Sequence, residues 1–222
     1  MERDDESGHE RPQDQEREVG VGPWPGGRGT WPDDPRYDPE LLAHGDRRNV
    51  VDAYRYWRLQ AIVADLDTRR HPFHVAIENL RHDLNIGSIV RSANAFGAAR
   101  VHVVGRRRWN RRGAMVTDRY QHVDHHADAG ALAVWAELAG LPIVAIDNVP
   151  GSTPLERGGL PRACVLLFGQ EGAGLTADAL EAAAEVRHIT QFGSTRSVNA
   201  GAAAAVAMHA WVQEHADPSA WA

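Results

Sequence analysis

Three stretches of the chain combine glycines with side chains that bind anions or hydrogen-bond a ligand. They are NLRHDLNIGSIVRSANAFG (79–97), LLFGQEGAGLT (166–176) and ITQFGSTRSVNAGAAAA (189–205). Glycine lets a backbone turn tightly and approach a ligand closely, while Arg, Glu, Ser and Asn supply charge and hydrogen bonds. This combination is typical of a site in which backbone groups hold a ligand and a few side chains act on it.

The first stretch places an arginine at an unusual point of a predicted helix. Asn85 and Gly87 lie in a turn, and the helix follows over 86–96 with Arg91 near its first turn. The positive end of a helix dipole disfavours a cation, so we expect Arg91 to face an anion or a carboxylate. An exposed helix arginine or a salt bridge is the alternative that this pattern leaves open.

The second stretch carries three glycines in the order G-x-x-G-x-G. It is not a phosphate-binding loop, because Leu175 stands where that motif has lysine, and it lacks the dinucleotide pattern G-x-G-x-x-G. Thr176 suits the N-cap of a following helix that has Asp178 in its first turn. Glu171 lies at the bend and is a candidate to face a ligand, whereas a plain strand-to-helix turn is the alternative.

The third stretch leads from a strand into a helix of very small residues. Ser197 and Asn199 lie in the polar loop just before a run that includes Ala200–Ala205. Such a narrow helix lets another backbone come near. Either Ser197 or Asn199 also suits a plain N-cap, which remains the alternative to a role in binding.

The elements around these stretches predict an α/β fold. Short apolar, β-branched runs predict strands at 74–79, 100–105, 142–147, 164–169 and 185–190. Helices are predicted over 47–67, 86–96, 128–139, 176–184 and 199–214. Apolar strands that alternate with helices indicate a mostly parallel sheet with helices on both faces. Ligands of such sheets bind beyond the carboxyl ends of the strands, where the three stretches begin.

Taken together, the three stretches resemble, in order and spacing, the motifs of the SpoU (TrmH-like) family of RNA ribose 2'-O-methyltransferases in the SPOUT superfamily. The likeness spans about 74–214. It implies a C-terminal trefoil knot and S-adenosylmethionine as methyl donor. By position the donor would be bound by Ile146, Gly169, Ile189, Ser197 and Val198. The third motif usually reads Ser-Leu-Asn, and Val198 is a conservative departure.

The resemblance also assigns roles in catalysis. Arg91 would be the catalytic arginine, and we expect it to stabilise the developing alkoxide, because a guanidinium has no lone pair with which to act as a base. Glu171 would orient Arg91, while Asn85, Ser197 and Asn199 would place the ribose and the loop backbone. A homodimer is implied, with tRNA favoured over rRNA as substrate. The competing hypotheses are a non-catalytic RNA-binding protein that keeps the fold and a nucleotide-binding enzyme of ordinary doubly wound type.

A basic segment follows the second predicted strand. GRRRWNRRG (105–113) supplies five arginines around one tryptophan, namely Arg106, Arg107, Arg108, Trp109, Arg111 and Arg112. Arginines with an aromatic ring are typical of RNA contact, although a solvated charged loop has the same composition. His122, Asp124, His125 and His126 offer metal ligands nearby, but their spacing matches no zinc pattern, and we predict no metal.

Composition and charge set the domain prediction. Residues 1–20 hold eight acidic residues against three arginines, which leaves 22 acidic and 21 basic residues in the other 202. We predict a disordered tail over 1–40, acidic and then rich in Gly and Pro, an N-terminal helix within 45–70, and the methyltransferase domain over 71–216. No long uncharged apolar run appears, which favours a cytoplasmic protein without a membrane partner. Cys164, in an apolar run, is predicted to be a buried residue.

Overall fold

The chain divides into two compact units, Met1–Arg58 and Leu59–Ala222, in the computed structural model. The structure describes residues 20–79, 85–170 and 174–220. Among them, no helix is long and apolar enough to cross a membrane.

The first unit is built around aromatic rings. Helix α1 spans Pro39–His44, and short 3-10 helices span Arg28–Thr30 and Asp52–Tyr54. The Trp24 ring packs edge-on against Tyr37 and Tyr56, with centroids 5.9 and 5.4 Å away. The prediction of a disordered tail is therefore wrong for 20–40, because these rings fix a Gly/Pro-rich segment; residues 1–19 lie outside the described residues.

The helix predicted over 47–67 is shorter in the structure. Helix α2 spans only Leu59–Asp67, not the whole of 47–67. Tyr56 has a φ of 64°, in the left-handed region, and its backbone N–H donates to Asp46 at 2.9 Å. Since a left-handed residue cannot continue a right-handed helix, the helix begins only after this point.

The second unit alternates strands and helices as predicted. Its strands are β1 His74–Asn79, β2 Val101–Gly105, β3 Val123–His126, β4 Ile143–Ile146, β5 Thr153–Pro154, β6 Val165–Phe168 and β7 Glu185–His188. Its further helices are α3 Asn85–Ala95, α4 Ala129–Ala139, α5 Ala177–Glu181 and α6 Ala200–His215. Strands β3 and β5 were not predicted, because one is polar and the other is two residues long.

The strands form one sheet in the order β3-β2-β1-β6-β4-β7-β5. Every described pairing is parallel, which confirms the predicted sheet. Strand β6 enters between β1 and β4, two strands that precede it along the chain. The carboxyl ends of all these strands meet at one edge of the sheet, so the three Gly-rich stretches are brought to the same edge.

Helices cover both faces of the sheet, again as predicted. Apolar residues of α3 and α6 pack on one face, around the buried Phe73 and Trp211. Residues of α4 and α5 pack on the other face, among them the fully buried Leu132. Cys164 is buried as expected, and burial raises the pKa of its thiol to about 12. The trefoil knot stays a prediction.

Candidate active site

A cavity of about 510 Å³ opens beyond the carboxyl ends of β4, β6 and β7. This volume falls within the roughly 300–1,000 Å³ typical of small-molecule sites. All five residues predicted to hold the methyl donor line it: Ile146, Gly169, Ile189, Ser197 and Val198. Segments far apart in the chain therefore converge on one site, as the resemblance implied.

Backbone approach shapes the wall of the cavity. A Cβ on Gly169 would lie 2.3 Å from the carbonyl carbon of Gly174, so only glycine fits there. Gly174 has a φ of +68°, in the left-handed region that favours glycine. Asp147 fixes the turn by accepting from the Leu175 N–H at 2.8 Å and the Asn148 N–H at 2.7 Å. The sequence did not reveal this aspartate, which follows an apolar strand like any loop residue.

One polar atom of the wall has no hydrogen-bond partner among the described residues. It is the buried side-chain oxygen of Gln191, which lines the cavity. A buried acceptor without a donor is unfavourable, so this oxygen fits a bound ligand that carries an N–H or O–H group. Arg196 also lines the cavity. Sequence reasoning missed both residues, although both stand in the third stretch.

Asn85 and Asn199 join the first stretch to the third. The Asn199 side-chain N–H donates to the Asn85 side-chain oxygen at 2.9 Å. The Asn199 side-chain oxygen accepts from the Ala202 N–H at 3.1 Å, which makes Asn199 the N-cap of α6. The N-cap interpretation therefore holds for Asn199, and its role in placing the ribose stays a prediction. Ser197 lies two residues before it, exposed at the cavity.

Arg91 lies on α3, the helix that Asn85 begins. It is exposed, and within the described part of the chain no ion pair holds its guanidinium. The helix starts at Asn85, and Arg91 therefore stands in its second turn. The prediction had placed Arg91 near the first turn. The dipole argument for an anionic partner is therefore weakened, and the catalytic role of Arg91 stays a prediction from the family motif.

The end of the second stretch is tied to β1 by a buried carboxylate. Glu171 itself lies outside the described residues. Glu78, at the end of β1, is 2% exposed and accepts from the Thr176 N–H at 2.8 Å and from its hydroxyl at 2.7 Å. Thr176 is also the N-cap of α5, as predicted. This contact fixes the end of the loop that lines the cavity.

The predicted arginine surface follows β2. Exposed side chains are those of Arg106, Arg107, Arg108, Arg111 and Arg112. Trp109 is half-buried and packs against the core of the sheet, with Arg111 over its ring at 5.6 Å. The Trp109 ring is therefore only partly available to stack on a base, because part of it packs on the protein.

Asn79 holds this surface in place from the end of β1. Its side-chain amide donates to the carbonyl oxygens of Arg106 at 2.6 Å and Arg108 at 3.0 Å. The Arg106 N–H donates back to the Asn79 carbonyl at 2.8 Å. The arginines thus project from a backbone that is fixed to the sheet, which lowers the entropy that a bound ligand has to remove.

The histidines near 121–126 do not converge. His126 joins His102 at 2.9 Å, and His102 joins His74 at 2.9 Å, so that three rings form two pairs across β1, β2 and β3. His122 bonds Asp67 at 2.8 Å, and His125 bonds the Gly105 carbonyl at 2.6 Å. Among the described residues, no group of three or more His, Cys, Asp or Glu side chains is arranged to hold a metal.

Residues 72–209 match the SpoU rRNA Methylase family. The chain belongs to this family. The match covers the whole sheet and the three Gly-rich stretches of this SpoU protein. It confirms the resemblance drawn from the motifs, and with it the α/β architecture of the family.

Individual SpoU relatives differ in length from this chain. A Mycolicibacterium vanbaalenii protein named as an uncharacterized tRNA/rRNA methyltransferase is 31% identical over 190 residues, 78% of this chain and 58% of its own length. The tRNA (guanosine(18)-2'-O)-methyltransferase of Escherichia coli is 26% identical over 153 residues, 67% of each chain. This SpoU protein therefore spans less than two thirds of the first relative.

A solved structure agrees with the fold. The SpoU methyltransferase AviRb of Streptomyces viridochromogenes, in complex with its cofactor AdoMet, superposes with a TM-score of 0.60 at 25% identity. The superposition covers 68% of this chain and 63% of AviRb.

Proposed function

We propose that this SpoU protein is an S-adenosylmethionine-dependent RNA methyltransferase that methylates a ribose 2'-OH, with tRNA favoured over rRNA. The observation that carries the proposal is the Asn85–Asn199 contact of 2.9 Å, which joins the helix of Arg91 to the rim of the cavity. A methyl-donor cavity and a residue that acts on the RNA would then be adjacent. The named E. coli relative supports both the ribose 2'-oxygen and tRNA.

The cavity suits the methyl donor by its chemistry. Apolar side chains of Ile146 and Val198 line the cavity together with backbone groups of Gly169 and the side-chain oxygen of Gln191, which has no partner within the described residues. A nucleoside with an amino group needs both kinds of surface. Bound there, S-adenosylmethionine would supply an electrophilic methyl group on a sulfonium, whose bond to carbon breaks as the bond to the ribose oxygen forms.

Arg91 would act on the ribose. Its guanidinium cannot take the hydroxyl proton, so it stabilises the negative charge that develops on the 2'-oxygen, and the proton passes to a phosphate or to water. Glu171 would orient Arg91, and Asn85, Ser197 and Asn199 would place the ribose and the loop. Arg106, Arg107, Arg108, Arg111 and Arg112 would bind phosphates, with the edge of Trp109 beside them.

The proposal includes a homodimer in the cytoplasm. Val198 at the cavity and Val206 on α6 are 43% and 47% exposed, which leaves apolar surface beside the site. A second subunit that covers this surface would also complete the site, as the family resemblance implies. Cytoplasmic location follows from the proposed tRNA substrate.

Methyl transfer to RNA tests the proposal directly. Labelled methyl from S-adenosylmethionine is offered separately to total tRNA and to rRNA that lacks modification, and the products are digested to nucleosides. We expect a 2'-O-methylnucleoside from tRNA, and a loss of about 10²–10³ in kcat for Arg91→Ala. Arg157→Ala, another exposed arginine, is the matched control and should keep full activity.

The same assay separates the competing hypothesis. A non-catalytic RNA-binding protein would bind tRNA but transfer no methyl to either pool, and S-adenosylmethionine would not bind in calorimetry. A base-methylated product, or an Arg91→Ala variant that is folded and fully active, would refute the proposed reaction or the proposed role of Arg91.

A further inference from the structure

The turn just after the arginine surface has an unfavourable backbone. Met115 and Val116 have φ values of 47° and 69°, both in the left-handed region. Within the described residues, Tyr56 alone shares this feature among non-glycines. The left-handed region is disfavoured for ordinary L-residues and most of all for a β-branched one such as valine. Gly or Asn would make the same turn without this cost.

Contacts of the residues that flank Met115 and Val116 fix the backbone of the turn. Ala114 is fully buried, and the Thr117 hydroxyl donates to its carbonyl at 2.6 Å. A Cβ on Gly87 of α3 would lie only 2.7 Å from the Ala114 backbone nitrogen. The turn therefore packs directly on α3, the helix that carries Arg91. Its strained backbone is fixed by contacts that do not involve the Met115 and Val116 side chains.

Those two side chains point into solvent. Met115 is 55% exposed and Val116 is 52% exposed. Large apolar side chains in a strained turn contribute little to folding when they are exposed. Strain of this kind persists where the surrounding structure enforces it, and it concentrates at ligand contacts. The two side chains are therefore better explained by something that they contact than by the stability of the turn.

The charge around the turn indicates what that contact is. The segment 105–119 carries six arginines against one aspartate, a net charge of +5. The single aspartate, Asp118, pairs with Arg111 at 3.4 Å. Exposed arginines on both sides of the turn, including Arg112 and Arg119, suit a polyanion. An apolar tip between phosphate-binding arginines matches RNA, whose bases present apolar faces and whose backbone presents phosphates.

We propose that Met115 and Val116 form a second RNA contact, at which both side chains pack against unpaired nucleobases next to the methylated nucleotide. This inference rests on the proposed function and narrows its substrate class. Bases inside an RNA duplex are stacked and cannot be reached in this way, whereas loops and bulges expose them. The substrate is therefore an RNA whose target nucleotide lies in a single-stranded loop or bulge.

Replacement by asparagine separates contact from folding. Asparagine tolerates the left-handed region, so Val116→Asn and Met115→Asn should leave the melting temperature unchanged or raise it. Each variant should raise the KM for tRNA by about 5- to 10-fold, while kcat at saturating RNA and the Kd for S-adenosylmethionine stay within about 2-fold. Val134→Asn is the matched control, since Val134 is 60% exposed on α4, on the other face of the sheet.

Competition between RNAs adds a second readout. The wild type should be inhibited more strongly by an unmethylated stem-loop than by a duplex of the same length and charge, and Val116→Asn should lose most of this preference. An unchanged KM and an unchanged preference in both variants would overturn the inference. A shift of the oligomeric state in Val116→Asn would also overturn it, because the turn would then contact a second copy of the chain.

Different outcomes would refute the proposed function and the proposed contact at Met115 and Val116. If the wild type methylates tRNA and the asparagine variants do so equally well, only the contact at Met115 and Val116 is wrong. If the wild type neither binds nor methylates RNA, the proposed function is wrong, and this inference falls with it.

Discussion

The two halves of the sheet present different kinds of surface at the same edge. In the cavity half, strands β4–β7 with α6, glycines and backbone groups form the wall around Gly169 and Gly174. In the arginine half, strands β1–β3 with α3, exposed cationic side chains project from a backbone that Asn79 fixes. We propose that one half encloses a small ligand by shape and that the other attracts a large polyanion by charge.

Two contacts join the halves across the boundary between β1 and β6. The Glu78 carboxylate binds Thr176, and Asn199 binds Asn85. Both contacts run from the arginine half to a segment that lines or ends at the cavity. Under the proposed function, each ligand would be bound by its own half, and catalysis would depend on these two contacts. Changes in one half should therefore affect one ligand only.

The largest effect is expected from a methyl group added to the cavity wall. In Gly169→Ala the new Cβ would lie 2.3 Å from the Gly174 carbonyl carbon and 2.5 Å from the Leu175 nitrogen, so the backbone has to move. We expect the affinity for S-adenosylmethionine to fall by about 100-fold or more, since a displacement of about 1 Å at a ligand site can cost that much. Calorimetry with S-adenosylmethionine measures it.

The control for this variant lies in the third stretch. A Cβ on Gly193 meets no atom within 4 Å, so Gly193→Ala should bind the methyl donor normally. Binding of tRNA should survive in both variants if the halves are independent. Loss of tRNA affinity in Gly169→Ala, with the fold intact by circular dichroism, would show that the two ligands share one surface.

A smaller effect is expected from the arginine half. Arg107→Gln combined with Arg108→Gln removes two exposed cations and leaves the backbone that Asn79 binds. Tenfold weaker tRNA binding at about 0.1 M salt is expected, and the slope of log K against log salt should decrease by about 1.4, at about 0.7 per single-strand phosphate contact. Fluorescence anisotropy over a salt series measures both values.

Methyl-donor affinity is the internal control for that pair. It should not change, because neither arginine lines the cavity. The matched change Arg157→Gln lies elsewhere on the surface and should leave the salt slope unchanged. A double variant with the wild-type slope would mean that these arginines are only solvated, the alternative that the composition had left open.

Loss of the contact between Thr176 and Glu78, which joins the two halves, should have a smaller effect, on both stability and methyl-donor affinity. Thr176→Val removes the hydroxyl that donates to Glu78 at 2.7 Å and leaves a buried carboxylate oxygen short of one donor. A loss of about 1–3 kcal/mol in the free energy of unfolding is expected, with a few-fold higher Kd for S-adenosylmethionine. Thr176→Ser keeps both hydrogen bonds and should restore both values. Denaturant unfolding and calorimetry measure the two values. If Thr176→Val changed neither the free energy of unfolding nor the Kd for S-adenosylmethionine, the contact with Glu78 would not couple the two halves.

The sequence predicted the sheet well where strands are apolar and buried. Strand β6, with Val165–Phe168 fully buried, was predicted from its uninterrupted apolar run. Strand β3 was missed, because it lies at the edge of the sheet, pairs on one side only and consists of Val, Asp and two His residues. The ordered segment from 20 to 40 was also missed, since aromatic contacts over a long sequence separation have no local signature.

The residues of the candidate site also fall into a group that the sequence predicted and a group that it did not. The glycines of the cavity wall could be predicted, because only glycine permits such close backbone approaches. The family resemblance predicted that Ile146 and Ile189 belong to the same site. The residues that fix the site were not predicted. Asp147 and Glu78 act through contacts with other segments, whereas the Gln191 side-chain oxygen differs only in lacking a partner among the described residues. A single acidic or amide residue at the end of a strand has many possible roles. The sequence marks Asn79 only as the end of a strand, yet its amide holds the backbone of the arginine surface.

The smallest effect concerns the histidines beneath the arginine half. Burial lowers the pKa of His74 to about 4 and that of His102 to about 3. Both therefore stay neutral in the folded protein at pH values where an unfolded histidine, with a pKa near about 6.5, becomes protonated. Between pH 6.5 and about 4 the unfolded state binds more protons, so the free energy of unfolding falls as the pH is lowered.

Removing the central ring tests this dependence. His102→Gln cannot titrate, so although it should be less stable at pH 7.5, its stability should fall less steeply with acid, by up to about 1.4 kcal/mol per pH unit. Urea unfolding between pH 7.5 and 4.5 measures the slope, and His44→Gln, with a side chain 77% exposed, is the control for loss of a histidine. An unchanged slope in His102→Gln would mean that the three rings do not govern acid stability. If the slope does flatten while the affinity of the cavity for S-adenosylmethionine keeps its wild-type pH profile, the acid sensitivity belongs to the arginine half alone.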